Sequence, residues 1–344
     1  MKANKHIHCI LCLIASAVCL AACKKSDGPF EDYSYFSGSI RLPIERYIAA
    51  GDSKDFCVDT LISYYRTDGG DIGYYFLISG EERGDTLKME GEDWRKKTFT
   101  FTAPDSLATY NAGLYGFAQF YYTTGAYEQF TSVRKGLNGD ASLTNFDVSE
   151  TDSVFTDRRD GKEYYTTRIG NKEWMRQNLA WNGAGIPGMN CRVMDDIAGM
   201  FYTWDEAVSA CPEGWKLPSE ADWSALASAC GITSEPYRDI EGLAGKLMEN
   251  VYFNGSRMWE YWREVTIDNA SRLSILPMGY AQKSSGKFKF DGFKSYALFW
   301  TSEDKGGSAG FRYIHEDRNT VFYGQGDKKS IGATVRCVRD IKAE

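Results

Sequence analysis

Past residue 36, hydrophobic and polar positions alternate as they do in β-strands. Phe56, Val58, Thr60, Ile62 and Tyr64 interleave with Cys57, Asp59, Leu61 and Ser63. Lys97 to Thr102 alternates as cleanly, with Phe99 and Phe101 on one face, and 72–78 and 114–122 are apolar or aromatic runs. Gly and Asn punctuate them at 68–70, 80, 84–85, 111–113 and 138–140. The pattern predicts an all-β immunoglobulin-like sandwich over 36–150. Ser149 to Val154 reads as a polar hinge into a second domain, 151–344.

The period then changes. Phe155 to Tyr165 predicts a hairpin turning at Asp160-Gly161, and 169–175 another strand pair. Two helices follow. Thr203 to Glu206 is a capping box, and Trp204, Ala207, Val208 and Cys211 fall at helical spacing before Pro212. Ser219 to Asp222 caps the second, with Trp223, Leu226, Ala227 and Cys230 on one face before Gly231. A third helix is expected over Ile240–Met248. Strands are expected again at 273–280, 295–302, 310–314, 320–323 and 333–340. The resulting fold class is α+β.

The N-terminus alters this picture. Lys2 and Lys5 precede an apolar run from Cys9 to Ala22, too short to span a bilayer. It closes on Leu20-Ala21-Ala22-Cys23, which resembles the lipobox of bacterial lipoproteins. The resemblance implies a signal peptide over 1–22, lipidation at Cys23 and a lipidated tether over 23–35. Localisation is then the cell envelope, as an outer-membrane lipoprotein, surface-exposed or periplasmic; multiple acyl chains make such an anchor stable.

Charge and composition narrow the function. The formal charge is −7, and removing 1–22 would take away two lysines and no acid. A nucleic-acid partner is excluded on electrostatic grounds. Of nine cysteines, Cys57, Cys191, Cys211, Cys230 and Cys337 lie beyond the lipidation cysteine Cys23. Beyond the signal no CxxC or Cys/His cluster occurs, so no metal site and no cofactor is expected. Of three histidines, His315 alone lies beyond the signal, in a hairpin beside Glu316 and Asp317. A Ser-His-Asp or Cys-His mechanism would depend on that one residue. The expectation is no enzyme and no catalytic residue.

The second half resembles the Fibrobacter succinogenes major paralogous domain of bacterial surface proteins, over Phe155 to Asp340. Four stretches carry the resemblance: residues 157–165 with 169–179; Phe201 to Ala207 through Cys211-Pro-Glu-Gly-Trp-Lys-Leu-Pro-Ser219; Phe299-Trp-Thr-Ser302; and Val335-Arg-Cys-Val-Arg-Asp340. The resemblance implies a C-type lectin-like fold, in which early and late strands meet at the base. It also implies a bridge from the first helix to the last strand, here Cys211–Cys337. Cys191 and Cys230 are the next pair, leaving Cys57 as a core thiol. The run from Gly214 to Trp223 is also similar to formylglycine-generating enzymes, but no cysteine pair is spaced for their copper chemistry. The calcium-lectin strings Glu-Pro-Asn and Trp-Asn-Asp are absent; Glu235-Pro236-Tyr237 comes nearest and follows the second helix.

The expected role is non-catalytic binding of a glycan or of an envelope or host protein, with the membrane reached through the lipid. A structural or adhesive subunit of a surface assembly is the alternative, and an enzyme on envelope glycans a third reading. Trp259, Trp262 and Tyr280 are the candidate ligand residues, since exposed rings stack on sugars or anchor protein contacts; the alternative is that they pack under the long loops. Segment 211–223 is expected to be scaffold for the helix–helix corner.

Overall fold

The computed structural model describes residues 35–41, 46–64, 73–78, 86–88, 98–118, 121–259 and 265–341. The chain falls into two compact units. The first is built from stretches within 1–41, 57–97 and 112–128. Its strands pair antiparallel: Tyr35–Arg41 with Ser53–Tyr64, and Gly73–Ile78 with both Thr86–Lys88 and Thr109–Ala118. Strands are present as expected, except that the turn expected at 111–113 lies inside Thr109–Ala118; Cys23 lies outside the described residues.

The second unit takes 42–56, 98–111 and everything from 129 onward. Its division from the first unit thus differs from the expected border at 150. Tyr47–Ala49 runs parallel to Thr131–Val133. Asp152, expected in a polar hinge, is tied down instead. It accepts hydrogen bonds from Arg176 at 2.9 Å and Arg272 at 2.8 Å, and Arg176 is fully buried. A buried guanidinium needs such partners, so this segment is fixed to the domain.

From residue 153 the second unit is β-rich with short helices. β1 (Ser153–Thr156), β2 (Glu163–Ile169) and β3 (Lys172–Met175) form the two expected hairpins, with Phe155 opposite Tyr164. Two helices follow, α1 (Trp204–Ala210) and α2 (Glu220–Ala229), then β4 (Ile240–Glu241) and the single turn α3 (Ala244–Leu247). The late strands are β5 (Met278–Ser284), β6 (Lys287–Phe293), β7 (Tyr296–Lys305), β8 (Ser308–His315), β9 (Thr320–Asp327) and β10 (Val338–Asp340). One sheet has the order β1-β2-β3-β10, so early strands meet the last one. The larger sheet runs β4-β9-β8-β7-β5-β6, with Ile331–Gly332 added on β5.

Both caps form as expected. Glu206 accepts from the Thr203 N–H and hydroxyl, at 2.8 and 2.7 Å. Asp222 accepts from the Ser219 N–H at 2.9 Å, and the Ser219 hydroxyl accepts from the Asp222 N–H at 3.2 Å. Trp223, Leu226 and Ala227 are buried as the spacing requires. Val208 departs from its expected face: it is 46% exposed, while Ala210 is buried instead. A two-turn helix needs only a narrow buried stripe, here Trp204, Ala207 and Ala210.

Two later elements are shorter than expected. The 240–248 helix is interrupted by Gly242 at φ +80°, so Ile240–Glu241 pairs with β9 and only 244–247 turn helical. The 273–280 strand begins only at Met278. Arg272 and Ser274 take φ of +57°, and Pro277 has no N–H to give a ladder.

Segment 211–223 is scaffold. Trp215 and Leu217 are buried in one core cluster with Trp204, Trp300 and Cys337. Trp223 is buried in another with Trp174, Trp259 and Phe299. Lys216 and Val338 exchange backbone hydrogen bonds of 2.9 and 3.0 Å, and the Ser302 N–H donates to the Pro218 carbonyl. Cys211 and Cys337 form the expected disulfide. Burial alone would raise the Asp222 carboxyl. The Ser219 N–H, Lys172 and Lys216 outweigh it and hold that carboxyl at about 2.

Candidate functional site

The large sheet carries a run of rings, one or two from each strand. Tyr296 of β7 lies 6.0 Å from Tyr280 of β5, 6.5 Å from Tyr313 of β8 and 4.3 Å from the His315 ring, centroid to centroid. Tyr313 stacks on Phe322 of β9 at 4.9 Å. Each of these five side chains is half-buried. Register explains the alignment, because Leu298, Tyr313 and Phe322 are successive cross-strand partners. Directly opposite residues share a face of a sheet. The strip spans four strands, three inter-strand steps of about 4.8 Å each.

On the same face, further along β7, lie Leu298 and Trp300, both buried, and Trp300 donates its indole N–H to the Tyr202 carbonyl at 2.8 Å. The strip thus borders a packed core cluster, against which Tyr280 and Tyr313 lean. Gly292, at φ +71°, makes room for Tyr296; a Cβ there would sit 2.9 Å from the tyrosine ring. Partial burial, then the nearby Asp291 carboxylate, raises the Tyr280 hydroxyl. Partial burial, then Asp239, does the same at Tyr313. These phenols stay protonated at neutral pH; the Tyr280 hydroxyl hydrogen-bonds the Asp291 carboxylate, and the Tyr313 hydroxyl can donate outward. The combination is flat apolar area edged by phenolic donors and by the His315–Asp317 contact.

The candidate residues fare differently. Tyr280 is part of the strip. Trp259 is not at the surface: it is fully buried, its indole N–H donating to the Ile275 carbonyl at 3.1 Å. Its expected ligand role is corrected to a packing role, since no ring face is accessible. Trp262 lies outside the described residues. Segment 279–294 is the β5–β6 hairpin, and its Phe288, Phe290 and Phe293 pack on a core cluster. The expected Cys191–Cys230 bridge is absent. Both are thiols in separate environments, with Cys191 buried and its Sγ donating to the Tyr47 carbonyl at 2.9 Å.

Sequence reading missed Tyr296, Tyr313 and Phe322, and weighed His315 only as a catalytic residue. The available signal was period-two placement, Tyr296-x-Leu298-x-Trp300 beside Phe311-x-Tyr313-x-His315. The Glu235-Pro236-Tyr237 string ends on a strained residue. Tyr237 has φ +65° and is 44% exposed, and its N–H donates to Glu220 at 2.9 Å. Glu220 is buried against Arg312, which also holds the Arg238 carbonyl at 2.6 Å. A buried ion pair thus fixes this loop beside β9.

The class of protein set by this geometry is a β-rich domain whose main sheet presents an aromatic face. The chain belongs to the Fibrobacter succinogenes major domain family, whose model matches residues 167–339. No curated protein matches it. Among solved structures, the adhesin InvE of Yersinia pseudotuberculosis is similar at 12% identity, over 88% of this chain and 70% of that one. The TM-score is 0.24, and nothing is carried over from that likeness. No helix among the described residues is long and apolar enough to cross a membrane.

Proposed function

We propose that this protein is a cell-envelope lipoprotein, lipidated at Cys23 and held in the outer membrane, that binds a glycan without catalysis. The binding face is the strip of Tyr280, Tyr296, Tyr313 and Phe322. That strip is the observation that carries the reading, because half-exposed rings with phenolic donors match the apolar faces and hydroxyls of sugar rings. The N-terminal β half acts as an immunoglobulin-like spacer between tether and binding domain. For the second domain we propose a C-type lectin-like fold. Its support is the sheet that joins β1–β3 to β10, and the bridge from the end of α1 to the last strand.

A broad glycan array probed with the full-length chain, with calcium and with chelator, tests this. Binding to one glycan class under both conditions is the expected result. Absence of glycan binding, with a stable envelope-protein complex recovered instead, would replace it with the adhesive-subunit reading.

A further inference from the structure

The aromatic strip does not end at Tyr280. In the β5–β6 ladder Tyr280 is opposite Asp291, Gln282 opposite Lys289, and Ser284 opposite Lys287. Residues two apart on a strand, and residues directly opposite, share a face. Lys289 and Lys287 therefore stand on the same face as Tyr280, one and two steps further out. The opposite face of β6 is apolar: Phe288 and Phe290 turn inward to the core.

Both lysines are exposed, and among the described residues neither takes part in an ion pair. Asp317 meets His315, and Asp239 accepts the Tyr323 N–H at 2.8 Å. Asp291, opposite Tyr280, places one carboxylate on the lysine face and accepts the Gly292 N–H at 2.7 Å. Lys283, opposite Phe288, belongs to the other face of the hairpin, its ammonium over that ring at 5.7 Å. A chain of net charge −7 thus carries two exposed lysines beside its aromatic face.

We propose that the ligand is an acidic polysaccharide, its sugar rings lying on the tyrosine strip and its carboxylate or sulfate groups meeting Lys287 and Lys289. This rests on the glycan-binding reading above and names the ligand's charge. Charge complementarity is the reason for the choice: two exposed ammonium groups against one carboxylate beside a stacking surface favour an anionic over a neutral chain. Their exposure makes the contribution salt-sensitive.

The test compares polygalacturonate with its methyl ester, which keeps the backbone and removes the charge. Binding of the full-length chain to each is measured by interferometry, at low salt and at about 0.3 M salt. The expected result is at least a tenfold preference for the acid form, reduced by salt. Lys287→Gln with Lys289→Gln should abolish the preference and leave ester binding unchanged. Tyr296→Ala should weaken both forms. Equal binding of acid and ester by the wild type would overturn the acidic-ligand inference and leave the glycan reading standing. So would a preference that survives in the lysine variant. Binding to neither polymer, but to vesicles containing anionic lipid, would overturn it in favour of a lipid surface. Loss of the preference together with intact binding in Tyr296→Ala would overturn the glycan platform itself.

Discussion

The Cys211–Cys337 bridge closes a loop with a sequence separation of 126 residues. In the chain-entropy model, cross-linking a loop of that length removes about 5 kcal/mol of unfolded-state entropy, and measured values for native bridges run from about 2 to 5 kcal/mol. The site suggests the upper part of that range. Cys337 is fully buried, and β10, which it precedes, is only three residues long. Without the bridge that strand is held by its ladder with β3 and by the Lys216–Val338 pair. Urea denaturation followed by tryptophan fluorescence is the assay, since Trp174, Trp215, Trp223, Trp259 and Trp300 all lie in this unit and are buried. Reductant, or Cys211→Ala with Cys337→Ala, should lower the unfolding free energy by about 3 to 5 kcal/mol. The double variant should no longer respond to reductant. A midpoint shift worth less than about 0.5 kcal/mol in both experiments would refute the reasoning, because it would mean that the cross-link does not constrain the unfolded chain.

Other consequences concern a buried acid, the core and the anchor. Burial, with Oδ1 lacking a hydrogen-bond partner, pushes the Asp195 carboxyl up to about 6 despite Lys162 nearby. A raised acid stabilises the fold only while protonated. Stability should therefore fall as pH rises from about 4 to 6 and then level off, by roughly 3 kcal/mol, and Asp195→Asn should remove this step in pH-dependent melting. Trp259→Ala should cost about 3 to 5 kcal/mol in denaturant unfolding, without changing ligand affinity per folded molecule. Cys23→Ser should move the protein from the membrane fraction to the soluble one and remove its acyl mass, as read by fractionation and mass spectrometry.

Local chemistry was legible where it is self-contained. Asp160-Gly161 specifies its turn, and Thr203–Glu206 and Ser219–Asp222 specify helix starts whatever surrounds them. The disulfide followed from family resemblance, not from spacing. What escaped was set by tertiary context. Val208 fits a helical face that the short α1 does not bury, and Gly242 breaks a pattern that periodicity alone extends to Met248. The aromatic face escaped for a related reason. Its rings come from four strands, and only the cross-strand register, Tyr313 opposite Phe322 and Tyr296 opposite His315, brings them together. Trp259 lies in an aromatic cluster in sequence, yet its own ring is part of the core.

The central claim is that the sheet face, not a loop or a catalytic cleft, recognises the ligand. The most direct measurement is the affinity of the full-length protein, and of Tyr296→Ala and Tyr313→Ala, for whichever glycan the array identifies, with folding of each variant checked by melting. The account predicts at least about a tenfold loss for each variant, about 1.4 kcal/mol, with melting temperatures close to wild type. Unchanged affinity in both variants would contradict it and move recognition off this face.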